Sequence, residues 1–217
     1  VTTGKPLPLD PGEPGHVAES VRLLKLKHVV LTSVDRDDLD DLGAAHWVKV
    51  IRAIREVNPG TTMEVLIPDF QGRPELVQQV IEARPDVISH NLEMVRRLSG
   101  SVRSRATYEV SLKVLQQVAA CGIVAKSGIM LGLGETKEEV LEVMDDLRSV
   151  GCQVMTIGQY LQPTEKNIEV KEYIRPEVFE EYKKTGLAKG FRFVESGPLV
   201  RSSYHAERHC RPTGTER

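Results

Sequence analysis

Cysteine is scarce in this chain: Cys121, Cys152 and Cys210 are its three, and no two form a C-x-x-C pair. That spacing excludes a disulfide framework and a local metal site built from neighbouring thiols. Cys121 and Cys152, near helix ends in apolar company, are expected to be structural, and Cys210 is given no role. Long apolar runs are missing as well. No stretch of about 18 apolar residues occurs, so no membrane helix is expected, and the polar, proline-rich opening does not resemble a secretory signal. Neither charge sign is in excess. With 29 basic and 31 acidic residues the net charge is -2, which gives no electrostatic case for nucleic acid or an anionic membrane as main partner. A cytoplasmic enzyme is expected. The 217 residues, 40% of them hydrophobic, suffice for one sizeable core.

What is present centres on Lys126-Ser127-Gly128-Ile129-Met130-Leu131-Gly132-Leu133-Gly134-Glu135. An apolar run broken by three glycines suggests a buried strand entering a ligand loop, because glycine weakens a strand unless something approaches its backbone. A plain strand-to-helix turn is the alternative. Thr136 stands where an N-cap belongs and Glu139 completes a capping box. The glycine spacing fits neither a dinucleotide fingerprint nor a phosphate loop.

Along the chain, strands are expected to begin near 28, 63, 86, 124, 153 and 191, with amphipathic helices over 16–26, 44–57, 74–83, 92–98, 107–121, 138–150 and 176–189. Residues 1–15, with four prolines, are expected to be loop, and 195–217 a tail of little periodicity. Repeated βα order demands a parallel sheet. A full eight-stranded barrel takes about 250 residues, leaving an open doubly wound sheet or a partial barrel. The partial barrel is preferred, because polar clusters follow nearly every strand (35–38, 69–71, 90–93, 135, 159–162), whereas a doubly wound sheet concentrates its ligand at one switch point. Taken alone, Asp35-Arg36-Asp37-Asp38 also reads as a solvated acidic turn, and His90 as an ordinary histidine.

Six stretches coincide with one family: Thr32 to Leu39, Pro68-Asp69-Phe70-Gln71-Gly72, His90-Asn91-Leu92-Glu93, Lys126 to Thr136, Gly158-Gln159-Tyr160-Leu161-Gln162-Pro163 and Arg201-Ser202-Ser203-Tyr204-His205-Ala206. In these the chain resembles lipoyl synthases. The resemblance implies a radical S-adenosylmethionine enzyme on an α/β fold, a partial (β/α)6 TIM-like barrel of parallel strands with its first strand missing. It implies insertion of two sulfur atoms at carbons 6 and 8 of a protein-bound octanoyl-lysine. The implied cofactors are S-adenosylmethionine and two 4Fe-4S clusters, one cleaving S-adenosylmethionine and an auxiliary one consumed as sulfur source. Implied partners are octanoylated lipoyl carrier proteins (dehydrogenase E2 lipoyl domains, glycine cleavage H protein) and an electron donor such as ferredoxin or flavodoxin.

Residue by residue, the resemblance assigns Thr32, Ser33 and Asp35 to the amino and carboxylate groups of S-adenosylmethionine, and Asn91 and Glu93 to its ribose or methionine part. Gly128, Gly132 and Glu135 belong to the strand and loop against which adenine lies, with Met130 as apolar neighbour. Ser203, with Ser202 as alternative, is the oxygen ligand of the auxiliary cluster. Arg201 and Tyr204 position that loop, and Arg103, Arg105 and Gln159 position substrate or loops. The chain departs from the family in lacking both cysteine motifs, C-x-x-x-C-x-x-C and C-x4-C-x5-C. It is therefore expected to be an N-terminally truncated piece, with a barrel over 1–195 and a serine-bearing tail over 196–217, inactive by itself. The alternative is a cluster-free barrel that binds lipoyl carrier domains without catalysis.

Overall fold

A computed structural model describes residues 6–102 and 107–210. Six strands form one sheet in the order β1-β2-β3-β4-β5-β6: β1 His28–Thr32, β2 Thr62–Leu66, β3 Val87–Ser89, β4 Val124–Leu131, β5 Val154–Gln159 and β6 Phe193–Ser196. Every adjacent pair is parallel. Sequential order with no reversal is singly wound, so right-handed crossovers place the helices on one face. A doubly wound sheet would reverse at a switch point. The sheet is an open partial barrel, as expected, with all six strand starts within two residues of their expected positions.

The helices are α1 Glu13–Leu23, α2 Ala44–Val57, α3 Pro74–Glu82, α4 Arg96–Val102, α5 Tyr108–Ala120, α6 Lys137–Ser149 and α7 Pro176–Ala188. Thr136 caps α6 in a reciprocal capping box with Glu139. Two boundaries differ from expectation for physical reasons. Helix α1 begins at Glu13, inside the proline-rich opening, because Pro14 sits in its first turn, where its missing N–H is no loss. The helix expected at 92–98 begins at Arg96, because Glu93 first makes a parallel bridge with Ile129.

The pairing register divides the sheet into two unlike faces, since successive side chains alternate. Met63 and Val65, Ile88, Ala125 and Ile129, Met155 and Ile157 share one face and join the helices in a single apolar core with Ile51, Leu115 and Met144. The other, inner face carries Glu64, Ser89, Lys126, Gly128, Thr156 and Glu195 in matching register. Glu64, Ser89 and Lys126 there are fully buried. Lys126 Nζ donates to Glu64 Oε2 at 2.8 Å, and burial raises the Glu64 carboxyl above its ordinary range against the pull of Lys126.

The tail, expected to be unstructured in pattern, folds. Beyond β6 it makes turns over 202–205 and a short 3-10 helix, Ala206–Arg208, that packs on β1. Of the cysteines, Cys152 is buried as expected, its thiol pushed up to about 12 by desolvation. Cys121 stands at the end of α5, as expected, but is exposed, a correction to the structural role expected of it. No described helix is long and apolar enough to cross a membrane.

Candidate functional site

Polar residues that follow β3 and β5 converge, with residues of β4 and the tail, on one cavity of about 380 Å³ at the carboxyl ends of β4 and β5. Asn91 and Glu93 reach it from the segment after β3. Glu93 holds a left-handed backbone, φ 69°, fixed by its N–H donating to the Gly128 carbonyl (3.0 Å) and its own carbonyl accepting from Met130 N (2.8 Å). A non-glycine residue in that region is sparsely populated and persists only where its surroundings dictate it. Strand β4 supplies Gly128, Ile129 and Met130, strand β5 Thr156 and Gly158, the following loop Tyr160, Leu161 and Pro163, and the tail Val200, Arg201 and Ser202. A volume in the small-ligand range, with apolar walls and a few convergent polar groups, suits a nucleoside-sized ligand.

Gly128 explains itself here. A Cβ on it would lie 2.3 Å from Thr156 Oγ1 and 3.2 Å from Asn91 Oδ1, so two polar side chains close over its bare Cα. Gly132 and Glu135 are engaged locally: the Glu135 carboxylate accepts from Gly132 N (2.6 Å) and Leu133 N (2.9 Å), closing the turn. Gly132 has φ +97 and faces the Gln159 amide. Arg97 ties that turn to α6, donating to the Gly134 carbonyl (2.8 Å) and to Glu139 Oε1 (2.7 Å).

Gln159 borders the cavity, yet its amide is committed to main chain. Nε2 donates to the carbonyls of Tyr160 and Glu172, both at 3.0 Å, and Oε1 accepts from Ile174 N at 3.0 Å. It staples the 160–174 loop onto β5. Gln159→Glu would turn an acceptor toward two carbonyls in a buried position, and leaving such groups unsatisfied costs about 1–3 kcal/mol. Limited proteolysis of that variant is expected to cut within 160–174 at least tenfold faster than in wild type, and equal rates would refute the staple.

Of the residues singled out from sequence, the cavity gathers Asn91, Glu93, Gly128, Met130, Gln159, Arg201 and Ser202. Thr32 and Ser33 lie elsewhere, in a smaller pocket of about 120 Å³ with Leu31, Val34 and Trp47. Asp35 and Ser203 are exposed and border neither, as is Tyr204. Arg103 and Arg105 lie outside the described residues. His90 is a core histidine, bonded through Nδ1 to the Ile67 carbonyl and through Nε2 to Ser111 Oγ, both at 2.9 Å. Sequence reasoning missed Thr156, which carries no motif signal. Its place two residues before Gly158, hence on the same face of β5, was the available clue.

An open singly wound barrel with its cavity at the carboxyl ends of the strands defines a class. The Radical SAM superfamily model matches residues 2–147, and the fold is shared with methylornithine synthase (TM-score 0.67, 11% identity, 88% of this chain and 56% of that one). It is also shared with Streptococcus suis SuiB bound to S-adenosylmethionine (TM-score 0.66, 9% identity, 91% and 45%). The chain is thus a radical S-adenosylmethionine protein. Lipoyl synthase of Treponema denticola is 73% identical over 209 residues, 96% of this chain and 72% of the relative. That of Phocaeicola vulgatus is 66% identical over 98% of this chain and 75% of the relative. The chain belongs to the lipoyl synthase family, whose enzymes insert sulfur by radical chemistry, and a non-catalytic carrier-binding barrel is not favoured.

Family membership implies S-adenosylmethionine, iron–sulfur chemistry and a lipoyl carrier protein as substrate. The cavity fits the first: Asn91 and Glu93 offer oxygens to hydroxyl or ammonium groups, and Met130 an apolar surface to a base. The donor set does not fit a cluster. Fe–S clusters are held by thiolates, and no group of three His, Cys, Asp or Glu among the described residues could hold a metal.

Proposed function

We propose that the cavity between β4, β5 and the tail is the S-adenosylmethionine site of this lipoyl synthase, with Asn91, Glu93, Gly128, Met130 and Thr156 as its contacts. The convergence of motif residues from β3, β4, β5 and the tail on one cavity carries this reading. When bound, S-adenosylmethionine would supply, on one-electron reduction with release of methionine, the radical chemistry that removes hydrogen from the octanoyl chain. Asn91 and Glu93 hold polar parts of the ligand, and Thr156 offers a hydroxyl donor beside Gly128. Leu161, Pro163 and Val200 shield the site from water, and Gln159 keeps their loop in place. Thr32 and Ser33, in the smaller pocket, and Asp35, bordering neither, are not among the contacts of this cavity. Gly132 and Glu135 shape the adjoining turn.

In this reading the barrel through residue 195 binds cofactor, and the segment from 196 presents Ser202 and Ser203. One of these serines would be the oxygen ligand of the auxiliary of two 4Fe-4S clusters, with Arg201 and Tyr204 flanking it. Arg103, Arg105 and Gln159 serve substrate or loop placement. The carriers would be octanoylated E2 lipoyl domains and the glycine cleavage H protein, with ferredoxin or flavodoxin as electron donor. Amide hydrogen exchange with and without S-adenosylmethionine tests the site. Protection is expected at 91–93, 128–130 and 156–161. Protection confined to 31–35 and 46–50, beside the smaller pocket, would overturn the assignment.

A further inference from the structure

The segment Val200 to Cys210 links the cavity wall to the far end of the inner face. At its upper end Val200, Arg201 and Ser202 line the cavity. The Val200 carbonyl oxygen lies 2.4 Å from where a Cβ on Gly158 would stand, so backbone packs directly on β5. At its lower end Ala206 is 1% exposed and His209 0%. The His209 ring packs against Phe193, at the start of β6, with centroids 5.4 Å apart. Cys210 Sγ lies 3.6 Å from His28 Nδ1, at the start of β1. Because β1 and β6 are the two edges of the sheet, this short segment touches both.

Between its ends this strap, residues 200–210, is held by Arg201 Nη1 donating to the Gln159 carbonyl (3.4 Å), by its own turns and by the packing of Ala206–Arg208 on β1. Tyr204 N donates to the Arg201 carbonyl (2.9 Å) and Ala206 N to the Ser203 carbonyl (3.3 Å), while Arg201, Ser203 and Tyr204 are exposed. Neither His209 ring nitrogen has a hydrogen-bond partner among the described residues, and the Glu195 carboxylate at 4.0 Å is beyond hydrogen-bond reach. Burial first, then Lys126, His28, His205 and Arg192, depress its pKa to about 3. Burial thus favours the neutral ring, which packs against Phe193 without a polar partner among the described residues.

We propose that His209 is a positioning residue: packed on Phe193 of β6, with its neighbour Cys210 beside His28 of β1, it anchors the turn bearing Ser202 and Ser203 and so sets the cavity wall to which Ser202 belongs. The functional meaning rests on the cavity being the cofactor site, but the anchoring can be tested without cofactor. In a Cys121→Ser background, which removes the exposed thiol, maleimide alkylation of Cys210 reports the lower end, and amide exchange at 200–204 reports the upper. His209→Ala is expected to speed both at least tenfold, and His209→Phe, which keeps an aromatic ring against Phe193, to restore wild-type rates. Gly158→Ala, acting from the upper end, is expected to raise Cys210 alkylation.

Faster alkylation in His209→Ala with unchanged exchange at 200–204 would show two independent ends and overturn the proposal. No change in either readout would overturn it too. Should His209→Ala fail to fold, as judged by circular dichroism, Gly158→Ala decides alone, and wild-type alkylation at Cys210 in that variant rejects the coupling. A cavity that S-adenosylmethionine does not protect would refute the site assignment while leaving these results intact.

Discussion

Lys126→Met is expected to lower the stability of the barrel by about 3–5 kcal/mol, the range for breaking a buried ion pair from one side. For a chain of this size that corresponds to a fall in Tm of roughly 6–20 °C. Both partners are fully buried, so removing the ammonium leaves Glu64 as a carboxylate in a desolvated site. Glu64→Leu together with Lys126→Met should recover most of the loss, because an apolar pair of similar volume removes both desolvation terms. A single variant as stable as wild type would show that the pair contributes no such coupling. The pH dependence has a definite sign. The folded Glu64 carboxyl titrates above its ordinary value of 4.5, so the folded state favours its protonated form. That contribution is full below about pH 4.5 and lost as pH rises through the folded value. Lys126→Met removes the partner that opposes the shift, so its deficit should be smallest at the acid end and grow toward neutral pH.

Gly128→Ala is expected to weaken S-adenosylmethionine binding at least tenfold, measured by equilibrium dialysis, while costing about 1–3 kcal/mol as an overpacked position. The added methyl meets Thr156 Oγ1 and Asn91 Oδ1, and both side chains line the cavity, so either adjustment disturbs a contact. Thr156→Ala in the same chain takes away the nearer obstacle and should restore stability more fully than binding, since it also deletes a hydroxyl from the site. Residues in contact give such non-additive responses. Wild-type affinity in Gly128→Ala would remove the cavity from consideration as the cofactor site.

How far the sequence alone could go follows from the range of the forces involved. The six strands, the helices between them and the Thr136 cap were legible because hydrophobic period, proline and capping residues act over a few positions. The motifs at 90–93, 126–136, 158–163 and 201–206 were legible as chemistry because their residue types are specific. Asn91, Glu93, Gly128 and Met130 do meet at one cavity, as strand ends in a parallel sheet should. What stayed hidden depends on distant pairings. That Glu93 would ride on β4, delaying α4, is decided by a bridge to Ile129. Glu64 and Lys126 lie 62 residues apart and become partners only once β2 and β4 flank β3. The strap is the clearest case: a tail without periodicity gives no local signal. Its course is set by the two edge strands of the sheet, His209 resting on Phe193 of β6 and Cys210 beside His28 of β1. Local composition determined the elements and the chemistry at their ends, whereas the register in which distant strands paired decided which polar side chains shared a face, which motifs met and where the tail could come to rest.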